Sequence, residues 1–244
     1  MFGRELADVY EVIYRSRGKD WAAEAEHVAR MVRTRFGEAD SLLDVGCGTG
    51  LHLARLSRLF ARAEGLELSA AMRDRAVQRL PGVPVHAGDM RDFQLDRTFD
   101  AVCCMFTAIA YVGGLADMRN AVGAMARHLV PGGVIVIDPW WFPDRFIEGY
   151  VAGDLVRDNG RTIARISHST CQNGVTRLEA RFTVADRTGI REFTEVDLLT
   201  LFTLEEYLGA LDDAGCTARY LPDGSPELGP FATTGRGLFV GQRR

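Results

Sequence analysis

The sequence predicts an α/β fold with a mostly parallel sheet and an antiparallel β insertion after the fifth strand. Three observations predict it. Up to Asp138, short continuous apolar runs alternate with segments of helical period, the pattern of strands buried on both faces and covered by helices. Beyond Asp138 the period becomes two: Thr176, Leu178, Ala180, Phe182 and Val184 share one side of a segment whose other side carries Arg177, Glu179 and Arg181. That is an antiparallel strand with one wet face. A capped helix and two short strands then return to the α/β layer. At 244 residues, against ~150 per domain, the expected organisation is one α/β unit over 1–139 and 203–244, interrupted by a β insertion over 140–202.

Each element has a local reason. Apolar residues at 21, 25, 28, 29, 32 and 36 fall on one helical face, which predicts a helix over 21–36. A strand over 41–46 runs into glycines, and apolar positions 53, 56 and 60 predict a helix over 51–60. A strand over 63–67 follows, then a helix N-capped by Ser69 and running to 80. Strands are expected over 83–87, 101–105 and 134–138, with a helix over 116–129 between the last two. In the insertion, 162–169 and 190–202 have β character beside the alternating 175–184 segment. Thr203-Leu-Glu-Glu206 is a capping box that opens a helix over 204–214, followed by strands over 217–221 and 237–240. The Gly/Pro-rich stretch 222–230 is expected to be a mobile surface loop.

Composition narrows the function classes. Apolar residues make 47% and charged residues 25%, which sustains a core and excludes general disorder. The net charge of −4 argues against sequence-independent binding of a phosphate backbone, so no nucleic-acid partner is expected and any anion must meet a local arginine cluster. The basic residues are 28 Arg and one Lys, Lys19. The longest uncharged run, 101–116, falls short of the ~20 apolar residues of a spanning helix, and no membrane partner is expected. The first residues, Met-Phe-Gly-Arg-Glu, lack a basic region followed by an apolar stretch, so the expected location is cytoplasmic. Five cysteines without a C-x-x-C pair and five scattered histidines predict neither a disulfide framework nor a metal site.

The sharpest motif is Asp44-Val-Gly46-Cys-Gly48-Thr-Gly50 at a strand-to-helix turn. Glycines there let a ligand approach the backbone and leave N–H groups free at a helix start. The dinucleotide fingerprint G-x-G-x-x-G would need glycine where Leu51 stands, which speaks against a nicotinamide-dependent dehydrogenase. Glu67 closes the second strand, where a carboxylate can take both ribose hydroxyls of a nucleoside. Asp89 after the third strand offers another acceptor, and Met90 can pack on a purine. If 162–169 is a strand, alternation puts Arg165, Ser167 and Ser169 on one face, a set suited to phosphate oxygens, with Ile166 and His168 on the other. Arg236 between Gly235 and Gly237 is a second anion candidate, and Trp140 and Trp141 offer flat rings for a base or sugar face.

With these motifs the chain resembles the class I S-adenosylmethionine-dependent methyltransferases, which have a Rossmann-like fold. Asp44 to Gly50 looks like their motif I, Glu67 their ribose acid, Asp89-Met90 their adenine contact and Met105-Phe106 the segment beside the methyl group. Longer strings extend the resemblance over nearly the whole chain: Tyr14-Arg-Ser-Arg17-Gly-Lys19-Asp20, Gly65-Leu-Glu-Leu-Ser69, Gly88-Asp-Met-Arg-Asp-Phe93, Pro139-Trp-Trp-Phe-Pro143, Arg165-Ile-Ser-His-Ser169 and Gly235-Arg-Gly-Leu-Phe239. They are similar to the N,N-dimethyltransferases of nucleotide-linked amino sugars of the desosamine and mycaminose type. Departures from that type at Phe2, Tyr111 and Asp138, and a longer 222–234 loop, surround the expected sugar pocket.

The resemblance implies S-adenosylmethionine as cofactor, a dTDP-linked deoxyamino sugar as substrate and a homodimer held partly through the β insertion. It implies cofactor binding by Arg17, Asp44, Gly46, Gly48, Glu67, Leu68, Asp89, Met90 and Met105, with Lys19 beside Arg17 near the methionine carboxylate. Tyr14, Trp140, Trp141, Arg165, Ser167, Ser169 and Arg236 are the expected substrate contacts. Alignment should carry most of the acceleration, because a sugar amine is partly neutral at working pH; Tyr111, Tyr14 and Asp138 are the candidates near the reacting nitrogen. An O- or C-methyltransferase, a dehydrogenase and a noncatalytic partner subunit remain the alternatives.

Overall fold

The structure, a computed structural model, describes residues 3–228 and 236–244, without the side chain of Arg4. Phe2, Gly235 and positions 229–234 of the longer loop lie outside the described residues. Two helices, α1 (Arg4–Ser16) and α2 (Trp21–Arg35), precede β1 (Ser41–Val45), α3 (Leu51–Leu59), β2 (Arg62–Glu67), α4 (Ala70–Arg79), β3 (Val85–Ala87) and β4 (Phe99–Cys104). A 3-10 turn (Ala108–Tyr111), α5 (Leu115–Arg127) and β5 (Leu129–Ile137) follow. The chain then makes β6 (Tyr150–Asp158), β7 (Arg161–Gln172), β8 (Val175–Asp186) and β9 (Gly189–Thr200) before α6 (Leu204–Asp213), β10 (Cys216–Leu221) and β11 (Leu238–Arg243).

The strands form two sheets. The larger has the order β10-β11-β5-β4-β1-β2-β3, parallel from β5 to β3 and antiparallel where β11 enters between β5 and β10. Strand order reverses between β1 and β4, the switch point at which open α/β sheets hold ligands beyond the strand ends. On one face, α5 and α6 bury Met118, Val122, Met125, Tyr207 and Leu211 against Val102, Ile135 and Phe239. On the other, Val28 and Val32 of α2 and Leu53 and Leu56 of α3 cover Leu42, Ala101 and Val136. The smaller sheet, β6-β7-β8-β9, is antiparallel throughout.

The structure extends the sequence reading at two elements. No element is expected before residue 21, yet Leu6, Val9 and Ile13 form the buried stripe of α1 and pack on Ile163, Phe182 and Phe193 of the smaller sheet. That helix is stabilised by a surface some 150 residues downstream. The strand β6 is also absent from the reading, because its outward side mixes Val151 and Leu155 with Arg157 and shows no clean alternation of polarity. The capping box is present in full: Glu206 N donates to Thr203 Oγ1 at 3.1 Å and Thr203 N to Glu206 Oε2 at 2.8 Å.

Candidate active site

At the end of β1 the chain turns through Gly46 and Gly48 in the left-handed region, with φ of 70° and 58°, a conformation that side chains rarely adopt. A Cβ on Gly46 would stand 2.8 Å from the Ala108 Cβ, so glycine is needed for the 3-10 turn to approach. Glu67, at the end of β2, is locked to this turn. Its Oε2 accepts from Gly48 N at 2.8 Å and its Oε1 from Ser69 N at 2.7 Å. Burial pushes its carboxyl pKa up, against these backbone donors. Each oxygen keeps acceptor capacity, as two adjacent hydroxyls of a ribose require.

A cavity of about 1090 Å³ runs from this turn to the smaller sheet, just above the ~300–1,000 Å³ usual for one ligand. The cofactor-side residues Gly46, Gly48, Glu67, Leu68, Asp89, Met90 and Met105 all line it. Leu68 leaves half of its surface exposed. Asp89 is clamped by a residue the sequence reading did not single out: Arg91 Nε lies 3.0 Å from Oδ1 and Nη2 2.6 Å from Oδ2, which holds the carboxyl below the usual range. Asp44 and Asp138, by contrast, stand behind the wall. Asp44 accepts from Cys103 Sγ at 3.5 Å, its Oδ2 has no hydrogen-bond partner among the described residues, and burial pushes its pKa up to about 6.

Beyond Met105, Phe106 and Thr107 adopt positive φ of 51° and 65°. Two consecutive non-glycine residues in that region store strain of order 1–3 kcal/mol each. Contacts hold the segment in place: the Phe106 ring meets Tyr14 edge-on with centroids 4.8 Å apart, and Lys19 Nζ lies 3.9 Å from its centroid. The cations expected near a methionine carboxylate are both engaged by acids. Arg17 donates through Nε to Asp154 at 2.9 Å, while Lys19 Nζ lies 2.6 Å from Glu24, which also bonds His52 at 2.7 Å.

The other wall is the inner face of the smaller sheet. Arg165, Ser167 and Ser169 are buried and line the cavity, whereas Ile166 and His168 face out, so the two-residue alternation puts these groups together. Arg165 Nη1 donates to Ser167 Oγ at 2.8 Å and lies 3.7 Å from Asp154. Arg236 enters from the start of β11, its Nε on the Pro139 carbonyl at 2.8 Å, its guanidinium carbon 5.3 Å from the ring centroids of both Trp140 and Trp141 and its Nη2 3.8 Å from Asp138. Trp140 Nε1 is buried without a hydrogen-bond partner among the described residues. Tyr14 and Tyr111 also line the cavity.

The strand order, the glycine turn and the acid at the end of β2 define a class I methyltransferase fold with a cofactor cleft at the switch point. Comparison with known proteins agrees. A methyltransferase-domain family matches residues 42–133. The chain is 51% identical, over 100% of its length and 94% of the relative, to the dTDP-4-amino-2,3,4,6-tetradeoxy-D-glucose N,N-dimethyltransferase of Saccharopolyspora spinosa. It is 49% identical, over 99% of each chain, to the dTDP-3-amino-3,4,6-trideoxy-alpha-D-glucopyranose N,N-dimethyltransferase of Streptomyces venezuelae. Its fold matches the S-adenosylmethionine-bound structure of CalS10, an amino pentose methyltransferase of calicheamicin biosynthesis from Micromonospora echinaspora, with a TM-score of 0.88, 56% identity and 97% of each chain covered. The chain belongs to the family of S-adenosylmethionine-dependent sugar N-methyltransferases.

Proposed function

We propose that the protein transfers methyl groups from S-adenosylmethionine to the amino group of a dTDP-linked deoxyamino sugar, twice in succession, in antibiotic biosynthesis. The observation that carries this reading is the single cavity that joins the Glu67 hook to the arginine-lined inner face of the smaller sheet. The named relatives act on such sugars.

The cofactor supplies a sulfonium methyl group. Glu67 takes the ribose hydroxyls, Leu68 and Met90 enclose the adenine with Asp89 as acceptor, and Gly46 and Gly48 admit the chain close to the backbone. Arg17 and Lys19 lie toward the methionine end, and Asp44 supports the turn from below. Met105 delimits the place where methyl and amine meet. On the acceptor side, Arg165 with Ser167 and Ser169 holds diphosphate oxygens, and Arg236 with Trp140 and Trp141 frames the nucleotide. Tyr111 and Tyr14 align the nitrogen; Asp138 acts on it only at a distance, through Arg236.

In the transfer, the nitrogen lone pair forms an N–C bond as the C–S bond breaks and its electron pair stays on sulfur. The new ammonium then releases a proton to solvent. Alignment by Tyr14, Tyr111 and the anion contacts supplies the acceleration. Two copies associate through the outer face of the smaller sheet, which exposes Val151, Leu155, Ile166, Val196 and Leu198. Five unpaired cysteines support a reducing, cytoplasmic setting.

Mass spectrometry of dTDP-linked 3-amino and 4-amino deoxysugars incubated with the methyl donor tests the reaction. A gain of two methyl units on an amine is expected. No gain on any amine, or methylation of sugars that carry hydroxyl instead of amine, refutes it.

A further inference from the structure

The strand β9 brings to the cavity a carboxylate that the sequence motifs do not contain. Asp197 pairs with Leu178 across the β8–β9 ladder and lines the cavity, as do Glu195 and Leu199 on the same side of the strand. Tyr111 lines the same cavity, on the 3-10 turn that packs against β9. The Thr200 side chain ties β9 to this turn: its Oγ1 donates at 2.8 Å to the carbonyl of Val112, next to Tyr111.

Among the cavity-lining residues the inner sheet face is polarised from strand to strand, with Asp154 of β6 behind Arg165 at 3.7 Å. Arg165 stands on β7, the apolar Leu178, Ala180 and Phe182 on β8, and Asp197 on β9. Adjacent strands lie ~4.8 Å apart, so Arg165 and Asp197 are roughly 10 Å apart across the strands. The register offsets them further along the sheet, Asp197 being level with Ser169 rather than Arg165. A ligand with an anionic group at one end and an amine at the other matches that polarity. A neutral or wholly anionic sugar does not.

We propose that Asp197 is a positioning residue for the methyl acceptor: through Tyr111 it draws the substrate nitrogen into line and stabilises the positive charge that arrives there. The inference rests on the reading of the protein as an amino-sugar N-methyltransferase. During transfer the positive charge leaves the donor sulfur, which becomes a neutral thioether, and appears on nitrogen. A fixed negative charge nearer the nitrogen is worth more in the transition state than in the ground state, which is the condition for raising kcat. Burial first, then Glu195 on the same strand, push the Asp197 carboxyl up to about 6, against Tyr111 and Arg165 of β7. Tyr10 and Tyr14 of α1, whose pKa values are raised mainly by burial, face it as neutral phenols. The carboxyl is thus ionised at neutral pH.

The test compares the parent protein with Asp197→Asn and Asp197→Glu. It uses single-turnover methylation of a dTDP-linked amino sugar and the affinities for that ligand, for its hydroxyl analogue and for S-adenosylhomocysteine. Asp197→Asn should slow the single turnover about 10- to 100-fold and shrink the preference for amine over hydroxyl ligand about tenfold. Affinity for S-adenosylhomocysteine should stay within about twofold of the parent, and Asp197→Glu should recover part of the rate. A rate within about twofold of the parent with the amine preference intact overturns the proposal. So does an equal loss of affinity for amine and hydroxyl ligands, the mark of a structural role. If Asp197→Asn lacks a cooperative melt, Asp197→Ser takes its place; a parent protein that binds both ligands equally also overturns the proposal. A parent that methylates no amine removes instead the function on which the proposal rests.

Discussion

Glu67 occupies both oxygens with backbone donors before any ligand arrives. Glu67→Gln replaces one acceptor oxygen by an N–H₂ group, so that a donor faces either Gly48 N or Ser69 N. We expect S-adenosylhomocysteine to bind about 10- to 100-fold more weakly, roughly 1.4–3 kcal/mol, as isothermal titration calorimetry would measure; unchanged affinity would remove Glu67 from the cofactor site. Residues of this kind were legible in the sequence because glycines and acids at strand ends follow from local pattern alone. Arg91 and Asp197 were not. Arg91 becomes informative only when the turn after β3 folds it back on Asp89, and Asp197 only when the β8–β9 register and the Thr200 contact bring β9 against Tyr111.

Helix α1 bridges helix α4 and the smaller sheet as an element, and its ion pairs reach both. Asp8 lies 3.5 Å from Arg75 of α4 on one side, and 3.1 and 2.7 Å from Arg161 and Arg191 of the smaller sheet on the other. Glu11 adds a bond to Arg79 of α4. Because Tyr10 and Tyr14 of this helix line the cavity, the clasp also fixes its roof. These pairs are partly exposed, so Asp8→Asn should lower unfolding stability by about 1 kcal/mol or less. The loss should fade in ~1 M salt, where the Debye length falls to ~3 Å. Urea denaturation at two salt concentrations measures it; a salt-independent loss would point to packing instead. The helix itself was readable in principle from Leu6, Val9, Tyr10 and Ile13, but a stripe of four positions gains meaning only beside the Ile163–Phe182 surface that receives it.

At the scale of the whole molecule, the open sheet and its insertion were the most legible features, since the switch from continuous to alternating apolar pattern after Asp138 marks where the chain leaves the larger sheet for the smaller one, before β10 and β11 return to it. The relation between the sheets was not, because α1 and the 3-10 turn set it through contacts distant in sequence. The outer face of the smaller sheet interleaves apolar side chains with the Arg177–Glu179–Arg181 row. If copies pair there, Leu155→Asp combined with Ile166→Asp should convert a dimer to a monomer in sedimentation velocity without loss of the helical and sheet signal; a parent that sediments as a monomer at micromolar concentration counts against that face. Glu67 and Arg165 belong to separate hydrogen-bonded lattices, so no strand register ties one to the other. A lineage can exchange side chains on the second lattice, and so re-aim recognition toward another amine, while the first keeps its hold on the methyl source. New acceptor tastes then need not begin with a weakened donor.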